Sequence, residues 1–338
     1  MRSCEDSDSK SRGLLNLMQP SDCTQPPGHV TRQPDPASIF AVIVLYVTRP
    51  ADSDTVKTLI TQMSDFRARG SRLQVLLYDN TPGGQDCPPL PEHIIYHAAP
   101  RNGGIVTAYT RALELASRGG FSWMLTLDQD THLPPNFLAR MYELALYAEP
   151  KEEIGAIVPQ LSSAGRLLSP VRIRPWGPSY LPRGFSGIAR GEICAVNSAS
   201  LFRVRALNSI GGFDPRFWLD CQDAYVYRQL HRSGLSVWTA GEIQIQHDLS
   251  LISRKQPISV DRFENFLQAE SAFCDLYGTI IQRLALTGRL AGRLWRLRKQ
   301  RSDAAMQKLT RIALKRRILL SRKQRIHEWM SEAQRHFS

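Results

Sequence analysis

The run Phe40-Ala-Val-Ile-Val-Leu-Tyr46 constrains the fold more than any other part of this sequence. It is apolar at every position, without the alternation of a strand that has one wet face. Such a run suits the interior of a parallel sheet covered on both faces. The chain repeats the signal at Leu73-Gln-Val-Leu-Leu-Tyr78, at Ile94 to His97 and at Trp123-Met-Leu-Thr-Leu127. Helical patterns lie between the runs. Asp52 or Ser53 can cap a helix that sets Leu59, Met63 and Phe66 on one face before Gly70. Residues 104–118 read as a second helix closed by Gly119-Gly120, and Pro134-Pro135 opens a third that reaches about Tyr147. Strands alternating with helices predict an α/β layer fold with a mainly parallel sheet.

The second half carries weaker signals. Ile154 to Val158, Ile193 to Ser198, Leu235 to Thr239 and Ile243 to Gln246 read as strands, and Asp220 to Leu230 as a helix. Residues 162–190, rich in Pro, Gly, Ser and Arg, read as one long loop. Beyond about residue 262 the pattern is helical. Residues 1–36, rich in Ser, Asp, Pro and Gln, hold too little apolar surface to offset the entropy of ordering, so a flexible lead-in is expected there. The expected division is therefore 1–36, a catalytic domain over 37–261, and a basic helical extension over 262–338.

Composition excludes several classes. No apolar run approaches the ~20 residues of a spanning helix, and residues 1–36 lack the apolar centre of a signal peptide. A cytosolic protein is expected. None of the six cysteines has CxxC spacing, which suggests neither a zinc site nor a disulfide framework. The net charge of +12 is concentrated at one end. Residues 283–338 hold 16 basic and three acidic residues, while the rest of the chain has 27 and 28.

The acidic residues cluster where the expected strands end. In open α/β sheets, ligands bind beyond the carboxyl ends of the strands. Asp128 and Asp130 stand two apart after Trp123–Leu127, so their side chains share a face. Paired carboxylates repel unless a cation or donor intervenes, and hard oxygen ligands suit Mg²⁺ or Mn²⁺. A solvated acidic turn is the plain alternative. Asp79 ends the second run; it either begins a turn or accepts from the N–H of a base. His247 follows a strand-like segment and is a metal ligand or an ordinary surface group. The stretch from Gly211 to Asp223 mixes a glycine turn, aromatics and carboxylates, a mixture that suits a sugar, or equally a core aromatic pair followed by a helix start.

Taken in order, Val44-Leu45-Tyr46, Tyr78-Asp79-Asn80, Arg101-Asn102-Gly103-Gly104, Leu127-Asp128-Gln129-Asp130-Thr131, Asn197-Ser198-Ala199-Ser200, Gly211-Gly212-Phe213-Asp214 with Gln222-Asp223, and His247 resemble a family-2 glycosyltransferase of the GT-A fold. The D-Q-D form is similar to that of rhamnosyltransferase-like members. The resemblance spans about residues 38–250. It implies a Rossmann-like, mainly parallel sheet flanked by helices. It also implies an inverting transfer of a sugar from a dTDP- or UDP-linked donor to a hydroxyl of a glycan or lipid-linked acceptor in cell-envelope polysaccharide synthesis. In that reading Tyr46 and Asp79 hold the base, and Asn102 and Gly104 belong to a loop beside the donor. Asp128 contacts the ribose or the metal's water shell, and Asp130 and His247 bind Mg²⁺ or Mn²⁺. Asp223 is the catalytic base, while Trp218 and Asp220 face the acceptor sugar. The sequence departs from the pattern at Val47, at Thr110-Arg111, at Gln222 and after His247, where no glycine follows. A nucleotide-sugar binding protein without turnover, or a basic scaffold, are the rival readings.

The basic extension places Leu286, Leu290, Leu294 and Leu297, then Met306, Leu309, Ala313 and Leu320, at helical spacing. A basic amphipathic helix suits an anionic membrane surface, which would place the protein on the inner face of the cell membrane. The same stripe could equally pack on the body. Nucleic acid is the poorer partner, because few stacking aromatics interleave the charges.

Overall fold

The computed structural model describes residues 37–68, 70–163, 165–246, 258–300 and 303–337. The flexible lead-in expected at 1–36 and the ligand expected at His247 lie outside the described residues. Along the chain run β1 (Ile39–Leu45), α1 (Asp54–Ala68), β2 (Leu73–Asp79), β3 (Ile94–Ala98), α2 (Gly104–Arg118), β4 (Trp123–Asp128) and α3 (Phe137–Ala148). There follow β5 (Ile154–Ser163), β6 (Arg166–Ser169), β7 (Val171–Arg174), β8 (Gly177–Tyr180), β9 (Gly187–Ile188), β10 (Ile193–Cys194) and β11 (Ser200–Arg203). Then come α4 (Val204–Ser209), α5 (Gln222–Arg232) and β12 (Ser236–Gln246), and finally α6 (Val260–Tyr277), α7 (Ile280–Lys299), α8 (Ala304–Leu319) and α9 (Arg322–Phe337).

The main sheet has the order β3-β2-β1-β4-β11-β5-β12-β9, with β6 attached to β5. Strands β1 to β4 pair in parallel, β11 runs antiparallel between β4 and β5, and β12 is parallel to β5. This is the α/β architecture, a mainly parallel sheet flanked by helices with a helical C-terminal region, that the sequence implied. The unbroken apolar run of β1 has the expected cause. Its alternate residues Phe40, Val42 and Val44 pack beneath α2 and α5, while Ile39, Ala41, Ile43 and Leu45 pack beneath α1 and α3.

One expectation needs correction. Residues 162–190 are not a loop: they form β6 to β9, and β7 and β8 join β10 in a separate three-stranded sheet. Proline and glycine there mark a tight turn at Pro175 to Gly177 and an edge, not an absence of strands. Helices α6 to α9 lie within the same compact unit as the sheet, residues 35–338. Ala269 and Ala272 of α6 and Trp329 and Ala333 of α9 belong to the same core as α2 and α5. Of the stripe offered to a membrane, Leu286, Leu290 and Leu294 are buried, the first two in a small core with Phe263 and Leu267 against which Met306, Leu309 and Ala313 pack, while Leu297 and Leu320 are half-buried.

Candidate active site

Sheet register brings the first three acidic positions to one rim. Leu45 pairs with Asp79 and Val44 with Asp128, so β1, β2 and β4 end together. The loop after β4 is held from below. Ser53 Oγ donates to the Gln129 carbonyl at 2.6 Å, and Thr55 Oγ1 donates to the Thr131 carbonyl at 2.9 Å. Ser198 Oγ lies 2.6 Å from Thr131 Oγ1 and accepts from the Asp128 N–H at 3.3 Å. Gln129, between the two acids, accepts from the Tyr46 N–H at 2.7 Å. Asp128, half-buried, closes β4, while Gln129 and the exposed Asp130 already lie in the turn that follows. Tyr46 is 49% exposed at this rim.

The glycine loop reaches the same edge. Asn80 Nδ2 donates to the Gly104 carbonyl, and Asn102 Oδ1 accepts from the Gly104 N–H, each at 2.9 Å. Gly104 has φ +74°, and a Cβ there would stand 2.1 Å from the Trp218 carbonyl oxygen. Only glycine permits this approach, which docks the loop against the segment leading to Asp223.

Asp223 lies in the first turn of α5. Burial pushes its pKa up to about 6, against backbone N–H bonds from its own residue and Ala224; the charges of Asp220 and Asp128 push in the same direction as burial. Tyr109 of α2 is fully buried and is pushed well up, by burial first and then by the Asp128 and Asp223 charges. One tyrosine thus feels both carboxylates, so β4 and α5 deliver them to one neighbourhood. Tyr46, Asn102, Gly104, Asp128, Asp130 and Asp223 are brought around one rim, linked through Gln129, Asn80 and Tyr109.

Three expected roles are not met by the geometry. Asp79 has no exposed surface. It accepts from the Thr81 N–H at 2.9 Å, from Tyr96 Oη at 2.5 Å and from Gln85 Nε2 at 3.2 Å. Burial raises its pKa, but these bonds outweigh it and hold the carboxyl below the ordinary range. Here Asp79 organises the turn after β2 and presents nothing to a base. Trp218 is buried and stacks on Trp329 at 4.8 Å and on His336 at 4.7 Å, so its ring is committed to α9 and not to an acceptor sugar. Asp220 is buried and bound by Arg262 and by Asn265 Nδ2 at 2.6 Å, which ties it to α6.

Helix α9 is the part of the site that sequence reasoning missed. His336 stacks on the Trp218 ring at 4.7 Å, and Arg101 Nη2 donates to the Phe337 carbonyl at 2.5 Å. Trp329, Ala333 and Phe337 recur at helical spacing, a signal visible in the sequence but overshadowed by the basic charge around it. Gln85, Tyr96 and Thr55 carry no signal of their own, and Ser53 signals only a helix cap, because only the fold brings them to the rim.

Among the described residues no group of three His, Cys, Asp or Glu could hold a metal ion. Asp128 and Asp130 still fit a hard cation. Such ions commonly bind one or two carboxylates and complete their shell with water and substrate phosphate. No family model and no curated protein matches the chain. Solved structures do match it. One is the crystal structure of GalNAc-T7 with UDP, GalNAc and Mn²⁺, with a TM-score of 0.49 and 10% sequence identity over 83% of this chain. The match covers 56% of that protein, so this chain spans little more than half its length.

Proposed function

We propose that the chain is an inverting GT-A glycosyltransferase of the family-2 type, in which a hydroxyl of a glycan or lipid-linked acceptor displaces a nucleoside diphosphate from a sugar. The observation that carries this is the convergence of Asp128, at the carboxyl end of a parallel strand, with Asp223, whose pKa is pushed up to about 6. A carboxylate of that basicity is matched to taking a proton near neutral pH, an effect worth ~10²–10⁴-fold. The incoming hydroxyl gives its proton to Asp223 as its oxygen attacks the anomeric carbon from the face opposite the leaving group. A single displacement of this kind inverts that carbon. In this reading the Gly103-Gly104 loop and Tyr46, held by Asn80 and Gln129, flank the donor. Mg²⁺ or Mn²⁺, held by Asp128 and Asp130, would supply Lewis-acid stabilisation of the departing diphosphate.

The D-Q-D form favours rhamnose on a dTDP or UDP carrier, and with it a role in envelope polysaccharide. A thermal-shift panel of dTDP- and UDP-sugars with Mg²⁺ or Mn²⁺ tests the reading. A donor that binds only the native state raises the melting temperature. A panel with no shift for any nucleotide sugar contradicts the proposal. So does UDP affinity that is the same with and without Mn²⁺ and unchanged in Asp130→Ala.

A further inference from the structure

Helix α7 is apolar on two opposite sides. Leu286, Leu290 and Leu294 are buried, the first two in a core shared with α6 and α8. On the far side Ile281, Leu284, Gly288, Ala291 and Trp295 follow one another at helical spacing, and all are exposed; Leu284 is 66% exposed and Trp295 61%. A helix apolar all round is normally buried all round, and a contiguous exposed stripe marks a contact surface. Within the described structure nothing covers this one.

The charge around the stripe says what fits it. α7 has six basic residues and no acidic one. Arg289 and Arg293 lean on Glu270 of α6, whereas Arg296 and Arg298 have no acidic partner among the described residues. Lys299 Nζ lies 5.3 Å from the Trp295 ring centroid. The β7–β8 hairpin extends the surface. Its turn borders the same cavity as Gln282 and Arg289 of α7 and carries Trp176, 71% exposed. Residues 162–191 contain five arginines and no acidic residue. Exposed tryptophans beside unpaired arginines match the interface of an anionic bilayer, where rings sit at headgroup level and each cation gains from the surface potential. A second copy of the chain fits poorly, because a two-fold contact would set two uncompensated cationic stripes against each other.

We propose that the outer face of α7, with the Trp176 hairpin, docks the protein on an anionic lipid surface. This face lies opposite the stripe that begins at Leu286, Leu290 and Leu294, which is buried and cannot meet a bilayer. The hairpin adjoins the site, because β7 pairs with β10 and β10 packs against α5, whose first turn holds Asp223. The same docking would therefore bring a lipid-linked acceptor toward the base.

The experiment is co-sedimentation of the full chain with phosphatidylglycerol–phosphatidylcholine vesicles and with phosphatidylcholine alone. Binding to the anionic vesicles, little to the neutral ones, and a loss with added salt are expected. Leu284→Gln with Trp295→Gln, and separately Arg296→Gln with Arg298→Gln, should each weaken anionic-vesicle binding by about tenfold or more. Both pairs are exposed, so unchanged melting temperatures confirm that the fold is intact. Failure to bind either vesicle, equal binding to both, or undiminished binding by both variants overturns the proposal. So does a concentration-dependent dimer that the Leu284–Trp295 variant dissociates, or a salt-steep affinity for a DNA duplex that exceeds vesicle binding. None of these readouts needs turnover, so failure here is distinguishable from failure of the transferase reading.

Discussion

Asp79 and Asp223 stand at the same rim and are opposites. The turn after β2 surrounds Asp79 with donors from Thr81, Gln85 and Tyr96, and its carboxyl is held below the ordinary range. The start of α5 leaves Asp223 half-buried, and desolvation with two neighbouring carboxylates lifts it to about 6. A buried acid with every oxygen engaged holds structure. An acid destabilised in its charged form stores the basicity that proton transfer uses. Residue type and position in the sheet do not separate these roles; the donors around each carboxylate do.

Substitutions should split along that line. Asp223→Asn should lower transfer by ~10²–10⁴-fold with UDP affinity kept, since it removes the base and leaves the rim in place. Full turnover by this variant removes Asp223 from the role. Asp79→Ala should do the reverse, costing about 2–3 kcal/mol of stability by leaving the Tyr96 hydroxyl and the Thr81 N–H without their acceptor. A denaturant midpoint equal to that of the unaltered protein contradicts the structural role. Trp329→Ala bridges the two regions. It should cost ~3–5 kcal/mol as a large core deletion and should speed hydrogen exchange at residues 101–106 more than at α1. Uniform acceleration across the chain would mean that α9 stabilises the fold without positioning the loop.

The pH dependence follows from the same contrast, with smaller effects. Because Asp223 titrates near 6 when folded and near ~4 when unfolded, the native state binds more protons between those values. Stability from this group is therefore present below pH 4 and is lost as pH rises through 6. Asp223→Asn should melt higher than the unaltered protein at pH 7 and show no such gain at pH 4. For Asp79 the sign is opposite, and its contribution fades as pH falls through its depressed value.

The parallel half of the sheet could be read from the chain because each strand declares itself locally. β1, β2 and β4 are continuous apolar runs, and an acid ends two of them. The hairpin β7–β8 could not, since its strands are four residues each and are rich in residues that also make loops. Asp128, Asp130 and Asp223 were visible as candidates from their placement. The commitment of Trp218 to α9 and of Asp220 to α6 was not, because those partners lie more than 40 residues away and are chosen by tertiary packing. Asp79 shows the same limit: its spacing marks the strand end, while Tyr96 and Gln85 decide what it does there.

The most direct test is a carboxyl ¹³C NMR titration of Asp223 in the unaltered protein and in Asp128→Asn. The account predicts a midpoint near 6 that falls when the Asp128 charge is removed. An ordinary aspartate midpoint near ~4 in both proteins would contradict the claim that β4 and α5 bring their acids to one crevice.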